Sequence, residues 1–142
     1  MINKGLFSSN SDEWETPLDL FFDLNFYFHF DLDPCASHSN HKCDNYFTKD
    51  DDGLKKSWSG YTVFVNPPYG REISKWVKKA YYESLNGTTI VMLLPARTDT
   101  LWFHNYIYHK SKITFLKGRL HFNNSKNSAP FPSMLVFYNG GF

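Results

Sequence analysis

The sequence has no long apolar run, few cysteines, and no internal repeat or low-complexity segment. None of its apolar stretches approaches the ~20 residues that a membrane helix needs. Residues 1–10 also lack the charged-then-apolar layout of a signal peptide. We therefore expect no membrane partner and a cytoplasmic location. Cys35 and Cys43 are interpreted as reduced thiols because no secretory segment accompanies them.

Length and composition favour one soluble globular domain. A chain of 142 residues has room for one ordinary domain and little more. Hydrophobic residues make up 42% and charged residues 20%, which argues against a disordered or membrane protein. We therefore expect residues 1–142 to form one domain in which the active site and the substrate surface share a core. The oligomeric state is left open.

The net charge of +1 hides an uneven distribution along the chain. Residues 1–70 carry 5 Lys and Arg against 11 Asp and Glu, whereas residues 71–142 carry 10 against 3. An acidic half suits a ligand with cationic centres, and a basic half suits a polyanion such as nucleic acid. Two solvated faces that average out in three dimensions would give the same counts.

Helices and strands are predicted to alternate, which indicates an α/β protein built on an open sheet. One helix has Thr16 as its N-cap and Pro17 at its first helical position, and ends near residue 28. A second begins at Ile73 and is closed by Gly87, and a third covers residues 99–109. The predicted strands are residues 30–33, 61–65, 88–94, 113–116 and 134–138. Residues 35–59 are predicted to be polar and irregular.

Three segments follow predicted strands and should meet where ligands bind. In open α/β sheets, ligands lie outside the carboxyl ends of the strands. The segments at that edge are Asp33-Pro34, Asn66-Pro67-Pro68-Tyr69 and Pro95-Ala96-Arg97.

The segment Asn66-Pro67-Pro68-Tyr69 has the residues needed to methylate an aromatic amino group. The amino nitrogen of adenine is a poor nucleophile because its lone pair is delocalised into the ring. Two acceptors, the Asn66 side-chain carbonyl and the Pro67 backbone carbonyl, could hold its N–H groups and draw the nitrogen toward tetrahedral geometry. Pro67 and Pro68 restrict the backbone, so both acceptors are preorganised. Tyr69 would supply an aromatic face for a base flipped out of a duplex.

This segment is similar to the catalytic motif of amino-methyltransferases that act on adenine, on some cytosines and on protein glutamine. A proline-rich turn in which Tyr69 merely packs is the structural alternative. Several further motifs in order resemble the phage-type Dam family of DNA N6-adenine methyltransferases. They are Trp14-Glu15-Thr16-Pro17, Phe30-Asp31-Leu32-Asp33-Pro34, Asp51-Asp52-Gly53-Leu54, Pro95-Ala96-Arg97-Thr98-Asp99-Thr100, Gly118-Arg119-Leu120 and Ala129-Pro130-Phe131-Pro132-Ser133-Met134.

The resemblance implies a compact Rossmann-like methyltransferase fold that uses S-adenosylmethionine, with a mostly parallel sheet and a trimmed cofactor half. It implies DNA as the partner, methyl transfer to the N6 amino group of adenine, and the host cytoplasm if a bacteriophage encodes the chain. Asp33 would hold the ammonium group of the cofactor, and Asp52 its adenine amino group. The other implied cofactor-binding residues are Trp14, Thr16, Pro17, Asp31, Pro34 and Asn66.

Two departures concern the cofactor site. A glycine-rich turn is expected after Asp33-Pro34, but the sequence has Cys35-Ala36-Ser37. No acidic residue clearly takes the place that holds the ribose hydroxyls, for which Asp44 is a candidate. If these departures abolish cofactor binding, the chain would be a non-catalytic DNA-binding protein. Methylation of RNA adenine or protein glutamine also remains open.

Two further groups of polar residues are candidates for a metal site and for contacts to DNA. Residues 35–43 place two cysteines and two histidines close together, but four zinc ligands in one nine-residue loop would be strained, and we expect no metal. A thiolate nucleophile at Cys35 is also disfavoured, since it would have no use for the acceptors at Asn66 and Pro67. Arg97 and Arg119 are the predicted contacts to DNA, with surface salt bridges as their alternative.

Overall fold

The computed structural model describes residues 14–141, which form a mixed α/β structure around a six-stranded sheet. The strands are β1 (Leu32–Asp33), β2 (Asn45–Tyr46), β3 (Thr62–Val65), β4 (Thr89–Pro95), β5 (Lys112–Phe115) and β6 (Ser133–Tyr138). Their order across the sheet is β2-β1-β3-β4-β6-β5. In this part of the chain, no helix has the length and apolar character required to span a bilayer.

The strands β2, β1, β3 and β4 run parallel to one another, whereas β6 runs antiparallel to both β4 and β5. The predicted strands are confirmed with small shifts at their ends, and the two-residue strand β2 was missed. It lies in the segment predicted to be irregular, and two residues give too short a pattern to detect. Residues 34–61 contain no helix.

Three α-helices accompany these strands: α1 (Leu18–Phe28) precedes β1, α2 (Ile73–Ser84) connects β3 to β4, and α3 (Leu101–Tyr106) connects β4 to β5. The apolar stripe of α2 faces the sheet, and Val77 and Ala80 are fully buried. Thr100 caps α3 by accepting the Phe103 N–H at 3.2 Å, so this helix is shorter than predicted.

The predicted N-cap of α1 is wrong. The helix begins at Leu18 with Pro17 in the N-cap position, and no side chain caps it. The Thr16 hydroxyl does not cap because it contacts the Asn66 side chain instead.

One edge of the sheet collects the three segments that were predicted to bind ligands. The carboxyl ends of β1, β3 and β4 lie there because these strands are parallel. Pro95 at the end of β4 is paired with Ser133 at the start of β6, and Phe115 with Met134. Residues 116–132, here called the β5–β6 segment, therefore leave and re-enter the sheet at the same edge.

Candidate active site

A cavity of about 920 Å³ opens at this edge. Its lining brings together residues from the chain before α1, the ends of β1 and β3, and the irregular segment between β2 and β3. Five carboxylate side chains and two lysines line it, and four of the five carboxylates come from the acidic half of the sequence. The carboxylates belong to Glu15, Asp33, Asp50, Asp52 and Glu72.

Asn66 follows β3 and lines this cavity. Its Nδ2 donates to the Trp14 carbonyl oxygen and, at 2.9 Å, to the Thr16 hydroxyl. Because a backbone carbonyl can only accept, the amide nitrogen must face Trp14, and this fixes which way the amide is turned. The Asn66 Oδ1 is then buried and has no hydrogen-bond partner within residues 14–141. An unpaired buried acceptor costs about 1–3 kcal/mol, so a donor from a ligand would be stabilising here.

Residues 14–16, here called the strap, are held in place from the opposite side by the β5–β6 segment. The Glu15 N–H donates to Asn123 Oδ1, and the Asn123 N–H donates to the Glu15 carbonyl at 3.0 Å. The Trp14 ring makes edge contacts with Phe122 and Phe131, with centroids 5.6 and 5.2 Å apart. Trp14 is therefore half-buried between an aromatic cluster and the cavity.

Tyr69 lies beneath the same aromatic cluster and is only 3% exposed. Its hydroxyl donates to the Leu93 carbonyl at 3.1 Å, and its ring makes edge contacts with Phe122 and Phe131. Burial raises the pKa of the Tyr69 phenol, opposed by the nearby Arg97 guanidinium. The stacking role of this ring stays a prediction.

Asp33 ends β1 and is 6% exposed, with its carboxylate beside the cavity. Its Oδ2 accepts the Lys42 N–H at 2.9 Å and its Oδ1 the Cys35 N–H at 3.3 Å. Burial raises the pKa of the Asp33 carboxyl, and these two backbone donors oppose the rise. A partly desolvated carboxylate of this kind gains from a cationic ligand.

Gly53 has a structural role that the sequence analysis missed. A Cβ on this residue would lie 2.3 Å from the Pro34 carbonyl oxygen and 3.1 Å from the Trp76 ring. The Gly53 carbonyl accepts the Trp58 indole N–H at 3.0 Å, which fixes the turn against the core. Gly53 therefore lets its turn pack directly against the backbone of Pro34. The Asp51-Asp52-Gly53-Leu54 motif contained this signal.

The cavity gathers most, but not all, of the predicted cofactor residues. Trp14, Thr16, Asp33, Pro34, Asp52 and Asn66 line it. Pro17 and Asp31 do not: Pro17 is buried at the start of α1, and the exposed Asp31 accepts the Thr62 N–H at 2.7 Å. Asp44 is exposed and also lies outside the lining.

The cysteines and histidines of residues 35–43 make contacts of other kinds. His41 stacks on Tyr46 with centroids 3.9 Å apart, and His38 Nδ1 lies 2.9 Å from the Tyr46 hydroxyl. In residues 14–141, no three His, Cys, Asp or Glu side chains are grouped as metal ligands would be. Both cysteines are free, and burial followed by the nearby Asp33 charge raises the pKa of Cys35 well above its usual value. A thiolate nucleophile is therefore disfavoured at this position.

Comparison with known proteins identifies the family. The family model described as DNA N-6-adenine-methyltransferase (Dam) matches residues 4–139. A DNA N-6-adenine-methyltransferase of Haemophilus phage HP1 is 30% identical over 138 residues, covering 92% of this chain and 80% of the relative. One from Escherichia phage T1 is 31% identical over 131 residues, covering 91% of this chain but 55% of the relative. These matches make the chain a methyltransferase. It belongs to the Dam family of DNA N-6-adenine methyltransferases.

Proposed function

We propose that this chain transfers a methyl group from S-adenosylmethionine to the N6 amino group of adenine in DNA. The observation that carries the proposal is the buried Asn66 Oδ1, which has no hydrogen-bond partner among the described residues and belongs to the motif Asn66-Pro67-Pro68-Tyr69. An amino N–H of the target base is the donor that this acceptor lacks. Family membership gives the class of reaction. The names of the two phage relatives, both DNA N-6-adenine-methyltransferases, support DNA as the substrate.

The cavity fits the proposed cofactor by its chemistry. S-adenosylmethionine supplies an electrophilic methyl group on a sulfonium centre and also carries an ammonium group. The five carboxylates of the lining favour both cationic centres, and the half-buried Asp52 offers an acceptor to an adenine amino group. We assign the ammonium contact to Asp33 and infer that the sheet is the trimmed Rossmann-like core of such an enzyme.

The residues of this chain would act mainly by holding the reacting nitrogen. Asn66 Oδ1 and the Pro67 carbonyl would each accept one N–H of the adenine amino group, so that its lone pair leaves conjugation with the ring. Pro67 and Pro68 limit backbone motion, so little reorganisation is needed as positive charge develops on the nitrogen. No covalent intermediate with the protein is required.

The direct test is to incubate the purified protein with labelled S-adenosylmethionine and unmethylated DNA, RNA or protein, and to identify the product by mass spectrometry. We expect N6-methyladenine in DNA. Label in RNA adenine or in protein glutamine would show that the reaction is the proposed methyl transfer but that the substrate is not DNA. Absence of product together with absence of cofactor binding by calorimetry would leave a non-catalytic DNA-binding protein.

The DNA partner is supported by unpaired cations beside the cavity edge. After Asp99 the sequence carries five Lys and Arg residues and no Asp or Glu. Within the described part of the chain, Arg97 and Arg119 form no ion pair. Arg97 follows β4, and Arg119 lies in the β5–β6 segment, where one guanidinium N–H donates to the Ala129 carbonyl at 3.3 Å. We propose that their remaining donors contact phosphate groups.

Arg97→Ala and Arg119→Ala should each weaken DNA binding and flatten its dependence on salt. Each lost phosphate contact lowers the slope of log K against log salt by about one. Fluorescence anisotropy with a labelled duplex at several salt concentrations measures this slope. Lys78→Ala is the matched control, because Lys78 is an exposed cation on α2 that neither follows β4 nor lies in the β5–β6 segment. An arginine variant with the parental slope would rule out that phosphate contact.

Asp33→Asn should weaken binding of S-adenosylmethionine by about 10–100-fold, since a charge-assisted hydrogen bond contributes about 1.5–3 kcal/mol. The raised pKa of Asp33 means that protonation begins at a higher pH than for an ordinary aspartate. The affinity of the parent protein for S-adenosylmethionine should therefore fall as the pH is lowered and Asp33 becomes protonated. Asp33→Asn should not show this pH dependence. Asp31→Asn, outside the cavity lining, should bind normally. Calorimetric titrations showing equal affinity in both variants would contradict the assignment.

A further inference from the structure

Thr16 makes a contact that neither helix capping nor cofactor binding explains. It is 4% exposed, and its hydroxyl accepts a hydrogen bond from Asn66 Nδ2 at 2.9 Å. Its predicted capping role is absent, because the N-cap position belongs to Pro17. The Thr16 hydroxyl therefore binds the side chain of Asn66, on which the proposed reaction depends.

The two hydrogen bonds from Asn66 Nδ2 have different effects on the side-chain amide: one sets its orientation and the other limits its rotation. The Trp14 carbonyl decides which way the amide is turned, since only the nitrogen can donate to it. A single bond would still allow the amide plane to rotate. The second bond, to Thr16, lies two residues along the same strap and removes this freedom. The strap is itself fixed by the reciprocal bonds between Glu15 and Asn123.

We propose that Thr16 is a positioning residue that holds the Asn66 amide, so that Oδ1 is presented to the amino group of the target base. This inference rests on the proposed function and assigns Thr16 an action through Asn66. Its effect should fall on turnover, because misplacing a preorganised acceptor weakens the transition state more than it weakens cofactor binding.

Two variants separate the hydroxyl from the shape of the side chain. Thr16→Val keeps the volume but removes the acceptor, whereas Thr16→Ser keeps the hydroxyl. We expect Thr16→Val to lower kcat about five- to tenfold, the range that loss of one neutral hydrogen bond corresponds to, with unchanged affinity for S-adenosylmethionine. Thr16→Ser should retain kcat close to the parental value.

A double-mutant cycle tests whether Thr16 acts through Asn66. In the Asn66→Ala background, Thr16→Val should lower kcat no further, because the amide that Thr16 holds is gone. An equal loss in both backgrounds, or a change in cofactor affinity alone, would overturn the proposal. A different result would contradict the proposed function itself. If Asn66→Ala keeps near-normal turnover, Asn66 is not the acceptor for the adenine amino group.

Nuclear magnetic resonance of the cofactor-free protein gives a readout independent of activity. Both Nδ2 protons of Asn66 should exchange slowly with water because both are hydrogen-bonded. Thr16→Val should release one of them, and Thr16→Ser should retain it. Fast exchange of both protons in the parent protein would also refute the positioning role, even if Thr16→Val failed to fold.

Discussion

Replacement of Asn66 by alanine is expected to lower kcat by about 10²–10³-fold, the loss typical of one preorganised polar partner. The interaction strengthens as charge develops on the adenine nitrogen, so turnover should suffer while cofactor affinity changes little. The melting temperature should also change little. Alanine removes two donors that stabilise the strap, but it removes the buried unpaired Oδ1 as well. Methyl transfer to DNA, calorimetry with S-adenosylmethionine and thermal unfolding measure these three quantities.

Asn66→Asp is the informative companion to this variant. A carboxylate still accepts from the amino group, so kcat should remain above that of Asn66→Ala. However, it cannot donate to the Trp14 carbonyl and would place a negative oxygen beside it, so the melting temperature should fall below that of the alanine variant. If Asn66 were only a turn residue, the alanine variant would lose stability and activity together. Near-normal turnover in Asn66→Ala would reject the mechanism.

The strands and the catalytic segment could be predicted because their signals are local. The apolar run of β4, the stripe of α2 and the two prolines after Asn66 each determine structure within a few residues. An open α/β sheet brings the carboxyl ends of its parallel strands to one edge, so the meeting of Asp33 with Asn66 at one cavity was predictable. The uneven charge distribution is partly spatial on its acidic side, since four carboxylates from residues 1–70 line that cavity together with Glu72.

What the sequence could not reveal depends on contacts between distant segments. Thr16 and Pro17 have the local pattern of a helix start, but the partner of Thr16 lies 50 residues away and outcompetes capping. Tyr69 was expected to supply an aromatic face for a base, and its edge contacts with Phe122 and Phe131 from the β5–β6 segment could not be anticipated. Asp31 and Asp33 are two residues apart, yet only Asp33 reaches the cavity.

Gly53→Ala should destabilise the protein and damage the proposed cofactor site. The added Cβ would lie 2.3 Å from the Pro34 carbonyl oxygen, a backbone atom that cannot rotate aside as a flexible side chain would. Overpacking typically costs about 1–3 kcal/mol, and we expect the upper end here because the Trp58 indole bond anchors the opposing side. The melting temperature should fall by about 5–10 °C.

The larger consequence is for binding, because the clash separates the two segments that carry Asp33 and Asp52. Affinity for S-adenosylmethionine should fall more than tenfold at a temperature where the variant is still folded. Gly140→Ala is the matched control: its Cβ would lie 3.1 Å from the Thr89 Cγ2 methyl and 3.5 Å from the Phe28 ring, away from the cavity. That variant should bind the cofactor normally. If Gly53→Ala bound it with parental affinity, the close approach of Gly53 to Pro34 would be a packing detail and not part of the cofactor site.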